Sequence, residues 1–524
     1  MLQAGLANIL GWLPFIGTIM ETEIELKFFV SADFSGQLLR KIAQAKILQQ
    51  SSKRLGNIYF DTPEQILRQH DIGLRVRRID DVYIQTLKTA GRVVAGLHQR
   101  PEYNAELNGP QPDLTLHPSD AWPEHFDVAA ISSQISPLFS TDFERQQWLI
   151  AMPDGSQIEL AFDQGEVRAH DRSEPICEVE LELKSGQTEA LFTLARDLCE
   201  EGGMRLGNLS KAARGYRLAA GHQGDDVLPL SYVPLAADVS SENALVIAME
   251  HALAHWHYHE QIYVERQALP ALTEISHSIS LIRQTLVVYG SMIPRRASAQ
   301  LRQELTWLEG ELDWLQEADA IQRWLAEKGH ALKKLNARKS LVKQLKERQE
   351  ELPEPDDILR LLKSARYCNL LLNLSSWLLS RGWQPFLDEK ARERLAASAK
   401  SFADSALSKA WEELAEAFSE KRALSRADYL DQQARLLRNL VGGLCFASLY
   451  EDERREVFRS PWLDILQGME DLRQLEPIRA LQPDYEDEED RRQIDKWLHR
   501  KEDSLLHAMD QSRQIGLAQP PYWP

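Results

Sequence analysis

Residues 23–28 alternate strictly between charged and apolar side chains. Because successive side chains of a β-strand point to opposite faces, Glu23, Glu25 and Lys27 share one face of a predicted strand, and three apolar residues share the other. Taken alone, this pattern is typical of an ordinary strand that turns its polar face to water.

The same alternation recurs further along the chain. Arg75 and Arg77 share one strand face, Glu159 and Asp163 share another, and residues 178–184 carry three alternate carboxylates followed by a lysine. The pattern predicts a strand-rich region over residues 20–221. Its predicted strands are residues 23–30, 55–60, 73–78, 82–88, 96–107, 143–151, 157–163, 166–170 and 176–184.

From about residue 241 onward the apolar positions follow a helical period instead. Intervals of four and three residues place a set of leucines on one helical stripe, namely Leu301, Leu305, Leu308, Leu312 and Leu315. Prolines and glycines divide this region into roughly seven to nine predicted helices. The sequence therefore predicts an α+β chain, with a strand domain over residues 20–221, a linker over 222–240 and an all-α helical bundle over 241–515.

Composition narrows the class of partner. The 524 residues exceed what one hydrophobic core usually supports. A net charge of −18 argues against a general nucleic-acid or anionic-membrane binder, because surface Lys and Arg hold those partners. The four cysteines form no C-x-x-C pair, which indicates a reducing compartment and neither a zinc site nor a disulfide framework. We therefore expect a cytoplasmic protein whose anion site, if any, is local.

The N-terminal residues 1–19 are apolar but do not follow a targeting pattern. They have no Lys or Arg ahead of the hydrophobic run, and Gly11, Pro14 and Gly17 interrupt it. These features argue against a signal peptide and against a membrane-spanning helix. We expect translation to start at Met20, which would make residues 1–19 a non-native extension.

The charged strand faces gain a common explanation if the sheet closes. About eight antiparallel strands can close around a lumen, with one face inside and the other packed against helices. An interior crowded with Arg, Lys and Glu must be wet and paired with ions, because unpaired buried charges are costly. Such a lumen suits a polyanion with divalent cations, since basic side chains hold phosphate oxygens and carboxylates hold the metal.

The residues also carry a family resemblance. Glu23-x-Glu25-x-Lys27 resembles the E-x-E-x-K signature of the CYTH, or triphosphate tunnel, superfamily. Further elements of that superfamily follow in the expected order over residues 20–218: the Arg75/Arg77 pair, the strands of Lys88, Arg145 and Asp163, the strand 178–182 and the segment 209–216. Segments 91–93, 96–104 and 210–216 are similar to bacterial inorganic triphosphatases that carry a C-terminal CHAD domain.

The resemblance implies a fold and a reaction. The fold is an eight-stranded antiparallel closed β tunnel, the triphosphate tunnel fold, followed by the helical domain. The reaction is metal-dependent hydrolysis of tripolyphosphate to pyrophosphate and phosphate, by in-line attack of an activated water on a terminal phosphorus. Which carboxylate acts as the general base, if any, stays open.

The resemblance further implies a role for each charged residue. The residues expected to bind the triphosphate are Lys27, Arg75, Arg77, Lys88, Arg100, Arg145 and Lys211. The carboxylates expected to bind Mg²⁺ or Mn²⁺ are Glu23, Glu25, Asp163, Glu178, Glu180 and Glu182. The expected catalytic residues are Glu23, Glu25 and Lys27, and Glu102 is interpreted as a residue that orients Arg100.

The helical region resembles the CHAD domain, which is linked with polyphosphate binding. His277 and Arg283 stand where that family usually has a run of basic residues, and Arg366, Arg435 and Arg438 are partial matches. The missing arginines weigh against polyanion binding and favour a scaffolding role, so polyphosphate stays an open partner.

Histidines recur at intervals of four residues on one predicted helix. His251, His255 and His259 share a face, at a spacing that lets two imidazoles bind one metal. We favour a structural or surface role for them, because the sequence fixes no cysteine beside them and only Glu250 and Glu260 as nearby carboxylates.

Two other functions stay open. An enzyme acting on an organic triphosphate, either thiamine triphosphate or ATP, needs a pocket for the organic group, and Trp148 is out of phase with Arg145 and is predicted to point away from the lumen. Tyr59 is ambiguous in this respect. A non-enzymatic polyphosphate-binding protein is the third hypothesis, and carboxylates among the cations weigh against it.

Overall fold

The computed structural model describes residues 19–31, 33–79, 82–94, 96–419, 423–481 and 487–524, without the side chains of residues 19–21, 327 and 328. Apart from Ile19, the predicted N-terminal extension lies outside these residues. The chain divides into two compact units. The first comprises Met1–Asp225 and Arg360–Ser380, and the second comprises Asp226–Leu359 and Arg381–Pro524.

The strands all belong to the first unit. Their bounds are β1 Ile19–Val30, β2 Lys46–Asp61, β3 Gly73–Ile79, β4 Val82–Lys88, β5 Arg92–Val94, β6 Leu97–Leu107, β7 Ser136–Ala151, β8 Gln157–Ala169, β9 Arg172–Ser185 and β10 Met204–Leu206.

The α-helices are distributed over both units. In chain order they are α1 Phe34–Ile42, α2 Ile66–Gln69, α3 Val128–Ser132, α4 Glu189–Leu198, α5 Lys211–Ala219, α6 Ser241–Arg266, α7 Leu269–Val288, α8 Ala299–Glu311, α9 Trp314–Gly329, α10 Arg338–Glu350, α11 Pro355–Leu362, α12 Ala365–Leu379, α13 Glu389–Ala396, α14 Ala399–Phe418, α15 Arg426–Phe446, α16 Asp452–Gln474, α17 Glu476–Leu481 and α18 Glu488–Ala518.

The sheet closes on itself through β1. Neighbouring strands follow the order β10-β1-β9-β8-β7-β2-β3-β4-β6-β5, and β1 also pairs with β6. β1 pairs with β6 as far as Leu26 and with β9 from Glu25 to Phe29. Eight antiparallel strands therefore form a closed ring, with β5 and β10 attached outside it. This confirms the predicted eight-stranded closed antiparallel tunnel.

The strand predictions that fell shortest are those of β2 and β7. β2 and β7 begin well before the predicted residues 55 and 143, and they pair with each other from Lys46 opposite Ala151 to Asp61 opposite Ser136. Their early residues lack a regular alternation, so the extension comes from pairing between distant segments rather than from a local pattern.

The two strands predicted at residues 157–163 and 166–170 are one strand, β8. Gly165 lies within it, opposite Phe143 of β7. A Cβ atom at Gly165 would lie 2.1 Å from the carbonyl oxygen of Asp142, so the glycine permits a close backbone approach rather than ending the strand.

The described residues of the second unit form helices and no named strand. One core cluster gathers around Trp462 and Phe418, and a second around Ile321 and Trp497. The predicted leucine stripe is buried but belongs to two helices, since α8 ends at Glu311 and α9 begins at Trp314. Helices are also more numerous than the roughly seven to nine expected, because short helices carry too little periodicity to be recognised.

The histidines of α6 bond to neighbouring groups. Nε2 of His251 lies 3.0 Å from the carbonyl oxygen of Ser231, and Nε2 of His255 lies 2.9 Å from Glu274. His259 bonds the carbonyl oxygen of His255 and accepts from a backbone N–H. These contacts support the predicted structural role. Within the part of the chain that the structure describes, none of the helices has the length and apolar character needed to cross a membrane.

Candidate active site

The inward-facing positions of the closed sheet carry the charged residues of the sequence alternation. Strand pairing fixes this, because residues opposite each other in neighbouring strands point to the same face. Lys27 lies opposite Glu180, Glu23 opposite Arg100, and Arg145 opposite Asp163. Charges of both signs from adjacent strands therefore point into one lumen.

One group of charges surrounds three buried carboxylates. Oxygen atoms of Asp163, Glu178 and Glu180 all lie within 4.8 Å of one another. Lys27 is 2% exposed, and its ammonium group bridges Glu178, at 3.3 Å, and Glu180. Burial alone would lower the pKa of Lys27, but the charges of Glu178 and Glu180 raise that pKa well above its usual value. The lysine is therefore held in its charged form.

Lys211 reaches the same carboxylates from a helix. Ser210 caps α5 by accepting a hydrogen bond from the backbone N–H of Ala213, so Lys211 is the first helical residue. Its Nζ lies 2.7 Å from Asp163 Oδ2, 3.0 Å from Glu180 Oε1 and in contact with Glu178. The helix start thus delivers a cation to a site otherwise built from strands.

A second group of charges lies around Lys88. Its ammonium group contacts Glu23 and lies 2.9 Å from Glu102, which in turn lies 3.9 Å from Nη2 of Arg75. Burial opposes ionisation of Lys88, but the charges of Glu102 and Glu23 raise its pKa. The motif residue Glu23 is therefore engaged by a cation from β4, a strand that β6 separates from β1.

Carboxylates are crowded at one side of the lumen. Burial, followed by the charge of Glu23, raises the pKa of Glu25 to about 8. Burial also raises the pKa of Glu182 to about 7, although Lys184 opposes this and lies 2.7 Å away. These carboxylates would be stabilised in their ionised form by a further positive charge.

Cations are crowded at another side. Burial, followed by the charges of Arg75 and Arg145, lowers the pKa of Arg77 to about 9. The buried Nε atoms of Arg75 and Arg100 lack a hydrogen-bond partner among the described residues. Buried N–H donors without an acceptor are costly, so this side of the lumen suits an anion with several oxygen atoms.

The lumen is closed by aromatic residues beneath the charged groups. Phe143 shares the inward face with Arg145, and its ring lies 5.1 Å from Lys211 Nζ. Below it Tyr59 stacks on Phe139 at 4.5 Å, and Tyr216 of α5 meets Phe139 edge-on. These residues belong to one buried cluster, so the charged site is a chamber with an apolar floor.

Comparison with known families agrees with this architecture. The CYTH domain model matches residues 21–216, and the CHAD domain model matches residues 247–482. After these models, residues 21–216 are called the CYTH domain below and residues 247–482 the CHAD domain.

An inorganic triphosphatase of Haemophilus influenzae is 41% identical to this chain over 202 residues, which are 38% of this chain and 56% of that protein. The matched region thus spans about half the length of that relative. The crystal structure of the CHAD domain from the plant Ricinus communis has 17% identity and a TM-score of 0.43, covering 58% of this chain and 99% of that one.

The CYTH domain brings most of the residues predicted for its site into contact. The predicted pairing of Glu102 with Arg100 is wrong: Glu102 bonds Lys88, and Arg100 lies 3.5 Å from Asp71 at a turn. The alternation put Glu102 and Arg100 on one face of β6, but the partners from neighbouring strands decide which charges meet. Trp148 is buried on the face opposite that of Arg145, as predicted, and Tyr59 contributes to the floor.

Three further residues of the CYTH domain were not assigned from the sequence. Arg214 lies one helical turn after Lys211 and donates to Glu178 at 3.3 Å, a proximity that the i, i+3 spacing could have indicated. Asn57 accepts a hydrogen bond from Nε of Arg77 at 2.7 Å. His98 lies in phase with Arg100 and approaches the carbonyl oxygen of Gly207 at 3.3 Å.

The carboxylates of the CYTH domain fit a divalent metal. Oxygen-only donor sets suit Mg²⁺ and Mn²⁺, and these ions commonly keep waters or take phosphate oxygens as further ligands. Asp163 and Glu178 are already engaged by cationic side chains. The pKa values of Glu25 and Glu182 are raised, so a bound metal would stabilise the ionised forms of these two carboxylates most.

Proposed function

We propose that this chain is a metal-dependent inorganic triphosphatase that hydrolyses tripolyphosphate to pyrophosphate and phosphate. The observation that carries the proposal is the arrangement of opposite charges on the inner face of one closed sheet, with crowded carboxylates beside crowded cations. Similarity to an inorganic triphosphatase over 202 residues supports the same activity.

The charge pairs inside the chamber explain why substrate and metal would be needed together. Lys27, Lys211 and Arg145 are neutralised by carboxylates in the absence of substrate. A triphosphate can take these cations only if the carboxylates receive other positive charge, because an uncompensated buried carboxylate is strongly destabilising. Divalent cations supply that charge.

The roles divide along the lumen. We assign triphosphate binding to the cationic residues Lys27, Arg75, Arg77, Lys88, Arg100, Arg145 and Lys211. We assign metal binding to Glu23, Glu25 and Glu182, with Asp163, Glu178 and Glu180 completing the donor set and orienting the cations.

The reaction in this chamber is an in-line displacement. A water attacks the terminal phosphorus, the bond from that phosphorus to the bridging oxygen breaks, and pyrophosphate leaves while the water proton passes to a carboxylate or to solvent. Lys27, Lys211 and Arg145 would stabilise charge on the departing oxygens. A bound Mg²⁺ or Mn²⁺ would polarise phosphoryl oxygens and lower the pKa of a bound water.

The test measures phosphate release from tripolyphosphate, thiamine triphosphate and ATP in parallel, with Mg²⁺ or Mn²⁺. We expect tripolyphosphate to be turned over fastest and activity to disappear in chelator. Turnover of ATP equal to or faster than that of tripolyphosphate would overturn the assignment in favour of an organic triphosphate hydrolase.

A pair of variants distinguishes hydrolysis at this site from hydrolysis by a contaminating phosphatase. Lys27→Ala should abolish release, whereas Lys343→Ala should retain it, because Lys343 lies on α10, outside the CYTH domain, with 78% of its side chain exposed. A binding arm with long-chain polyphosphate covers the non-enzymatic alternative. Tight polyphosphate binding without any hydrolysis of tripolyphosphate would favour that alternative.

A further inference from the structure

A helix from the CHAD-matched part of the chain is built into the first compact unit. Residues Arg360–Ser380 lie within the stretch that the CHAD model matches, yet they belong with the strands of the CYTH domain. The helix of this segment, α12, packs against α4 and β10. This segment therefore matches the CHAD model in sequence but packs with the CYTH domain.

A polar network joins α12 to α4. Nε of Arg196 donates to Asn373 Oδ1 at 3.0 Å, and Ser376 Oγ donates to Glu189 Oε2 at 2.7 Å. Arg196 also bonds Glu189, at 3.0 Å, so the four side chains form one connected group across the two helices. Asn369, one turn before Asn373, lies 3.6 Å from Sγ of Cys199. One face of α12 therefore makes side-chain hydrogen bonds to α4 and to the residue that follows it.

The chain just before α12 fixes the turn that leads into β10. The backbone N–H of Gly203 donates to the carbonyl oxygen of Lys363 at 2.8 Å. A Cβ atom at Gly202, whose φ is +79°, would lie 3.1 Å from that same oxygen. Glycines thus allow the turn to take a left-handed conformation directly against this carbonyl.

From this turn the contacts continue to the E-x-E-x-K motif. β10 pairs with the end of β1, where Phe28 lies opposite Leu206 and Val30 opposite Met204. The backbone N–H of Gly207, directly after β10, donates to the carbonyl oxygen of Lys27 at 2.7 Å. Backbone hydrogen bonds therefore tie the residue before β10 to Lys363 and the residue after β10 to Lys27.

We propose that the segment Arg360–Ser380 is a positioning element of the candidate active site, holding β10 in place and, through β10, the backbone of Lys27. Its effect on catalysis rests on the proposed function, but its effect on the order of β10 and β1 does not. The CYTH domain of this chain is then incomplete without a helix that follows it by more than a hundred residues in sequence.

Hydrogen exchange on the full chain tests the structural half of the proposal. The double variant Asn373→Ala/Ser376→Ala removes the two side chains that α12 contributes to the network, and we expect faster amide exchange in β10 and in residues 28–30 as well as in α4. Ser380→Ala is the control, because Ser380 Oγ bonds the carbonyl oxygen of Ser376 within its own helical end rather than a group of α4. Faster exchange confined to α4, with β10 and β1 unchanged, would overturn the proposal.

Kinetics test the catalytic half. We expect the double variant to raise KM for tripolyphosphate by several-fold, with a smaller change in kcat, since small displacements of a binding group weaken substrate contacts. If the double variant fails to fold, Ser376→Ala alone is measured in the same way. An unchanged KM in a variant with faster exchange in β10 would overturn the positioning role. If the native chain releases no phosphate, the proposed function fails while the exchange result still decides the structural link.

Discussion

The guanidinium group of Arg145 and the carboxylate of Asp163 form two parallel hydrogen bonds, from Nε at 2.7 Å and from Nη2 at 2.6 Å. They lie opposite each other on β7 and β8. Burial alone would raise the pKa of Asp163, but the charges of Arg145 and Lys211 keep that pKa below its usual value. Both groups are therefore ionised and oriented before any substrate arrives.

The role of the two-bond geometry of Arg145 can be tested by a substitution that keeps the positive charge but removes the planar guanidinium group. Arg145→Lys should raise KM for tripolyphosphate by about tenfold, because lysine has one donor group and cannot form the paired bonds that fix the cation. The measurement is steady-state phosphate release over a range of substrate concentrations.

An outward-facing pair provides the control for that substitution. Arg54 makes the same two-bond contact with Asp142, at 2.9 and 2.9 Å, on an exposed part of β2. Arg54→Lys should leave KM unchanged. Equal effects of the two substitutions would mean that Arg145 acts only through the stability of the sheet.

Glu25 is expected to act by holding metal. Glu25→Gln should abolish turnover at ordinary metal concentration, because an amide is a weaker ligand than a carboxylate for a hard cation, and excess Mg²⁺ or Mn²⁺ should restore part of it. Turnover is measured against metal concentration, with Glu144→Gln on the exposed face of β7 as the control. Loss of activity that no metal concentration relieves would indicate a direct chemical role for Glu25.

The close approach of β7 and β8 predicts a stability effect at a glycine. In Gly165→Ala the added methyl group would meet the backbone of Asp142 and Phe143, and the resulting strain should lower the free energy of unfolding by about 1–3 kcal/mol. Gly56→Ala is the matched control in β2, since a Cβ atom there has no neighbour within 4 Å. Thermal or urea unfolding measures the difference, and equal stability of the two variants would contradict this account of β8.

The second unit offers a prediction for pH. Glu274 lies 2.9 Å from Nε2 of His255 and 3.3 Å from Nδ1 of His277. Burial would raise the pKa of Glu274, but the hydrogen bonds from the two histidines lower it to about 2. Burial would lower the pKa of His277, but the hydrogen bond and charge of Glu274, together with Glu470, raise it above 6.5.

The sign of the effect follows from these directions. A raised histidine pKa stabilises the folded state below pH 6.5 and loses that contribution as pH rises through the folded-state pKa. His277→Gln should therefore lower Tm more at pH 6 than at pH 9. Unfolding at several pH values measures this, with Glu265→Gln on α6 as a substitution that leaves the pair intact. A constant difference in Tm across this range would contradict the ion pair.

Much of the site was visible in the sequence because a strand has a period of two. Glu23, Glu25 and Lys27 must share a face wherever the strand lies, and the same holds for Arg75 with Arg77. The alternation therefore identified most of the charged inner residues. It could not show that Arg100 turns to Asp71 while Glu102 bonds Lys88, since those contacts depend on which strands are neighbours.

Other features had no local signal. Gly165 looked like a break between strands, and only the backbone of Asp142 beside it explains why glycine is required there. The bond from Arg214 to Glu178 was not visible either, because the i, i+3 spacing relates Arg214 only to Lys211 on its own helix. The helix α12 carries an ordinary apolar pattern, and nothing in its own residues indicates that it packs against β10.

The sequence by itself determined the face on which each charged residue lies, the change from strands to helices near residue 241 and the resemblance to two families, because these depend on local spacing and on short motifs. Only the tertiary structure decided which charges neutralise each other, where the lumen ends in an aromatic floor and which distant helix supports Lys27. Those relationships depend on the register between strands and on contacts between segments far apart in the chain, and local spacing carries no information about either.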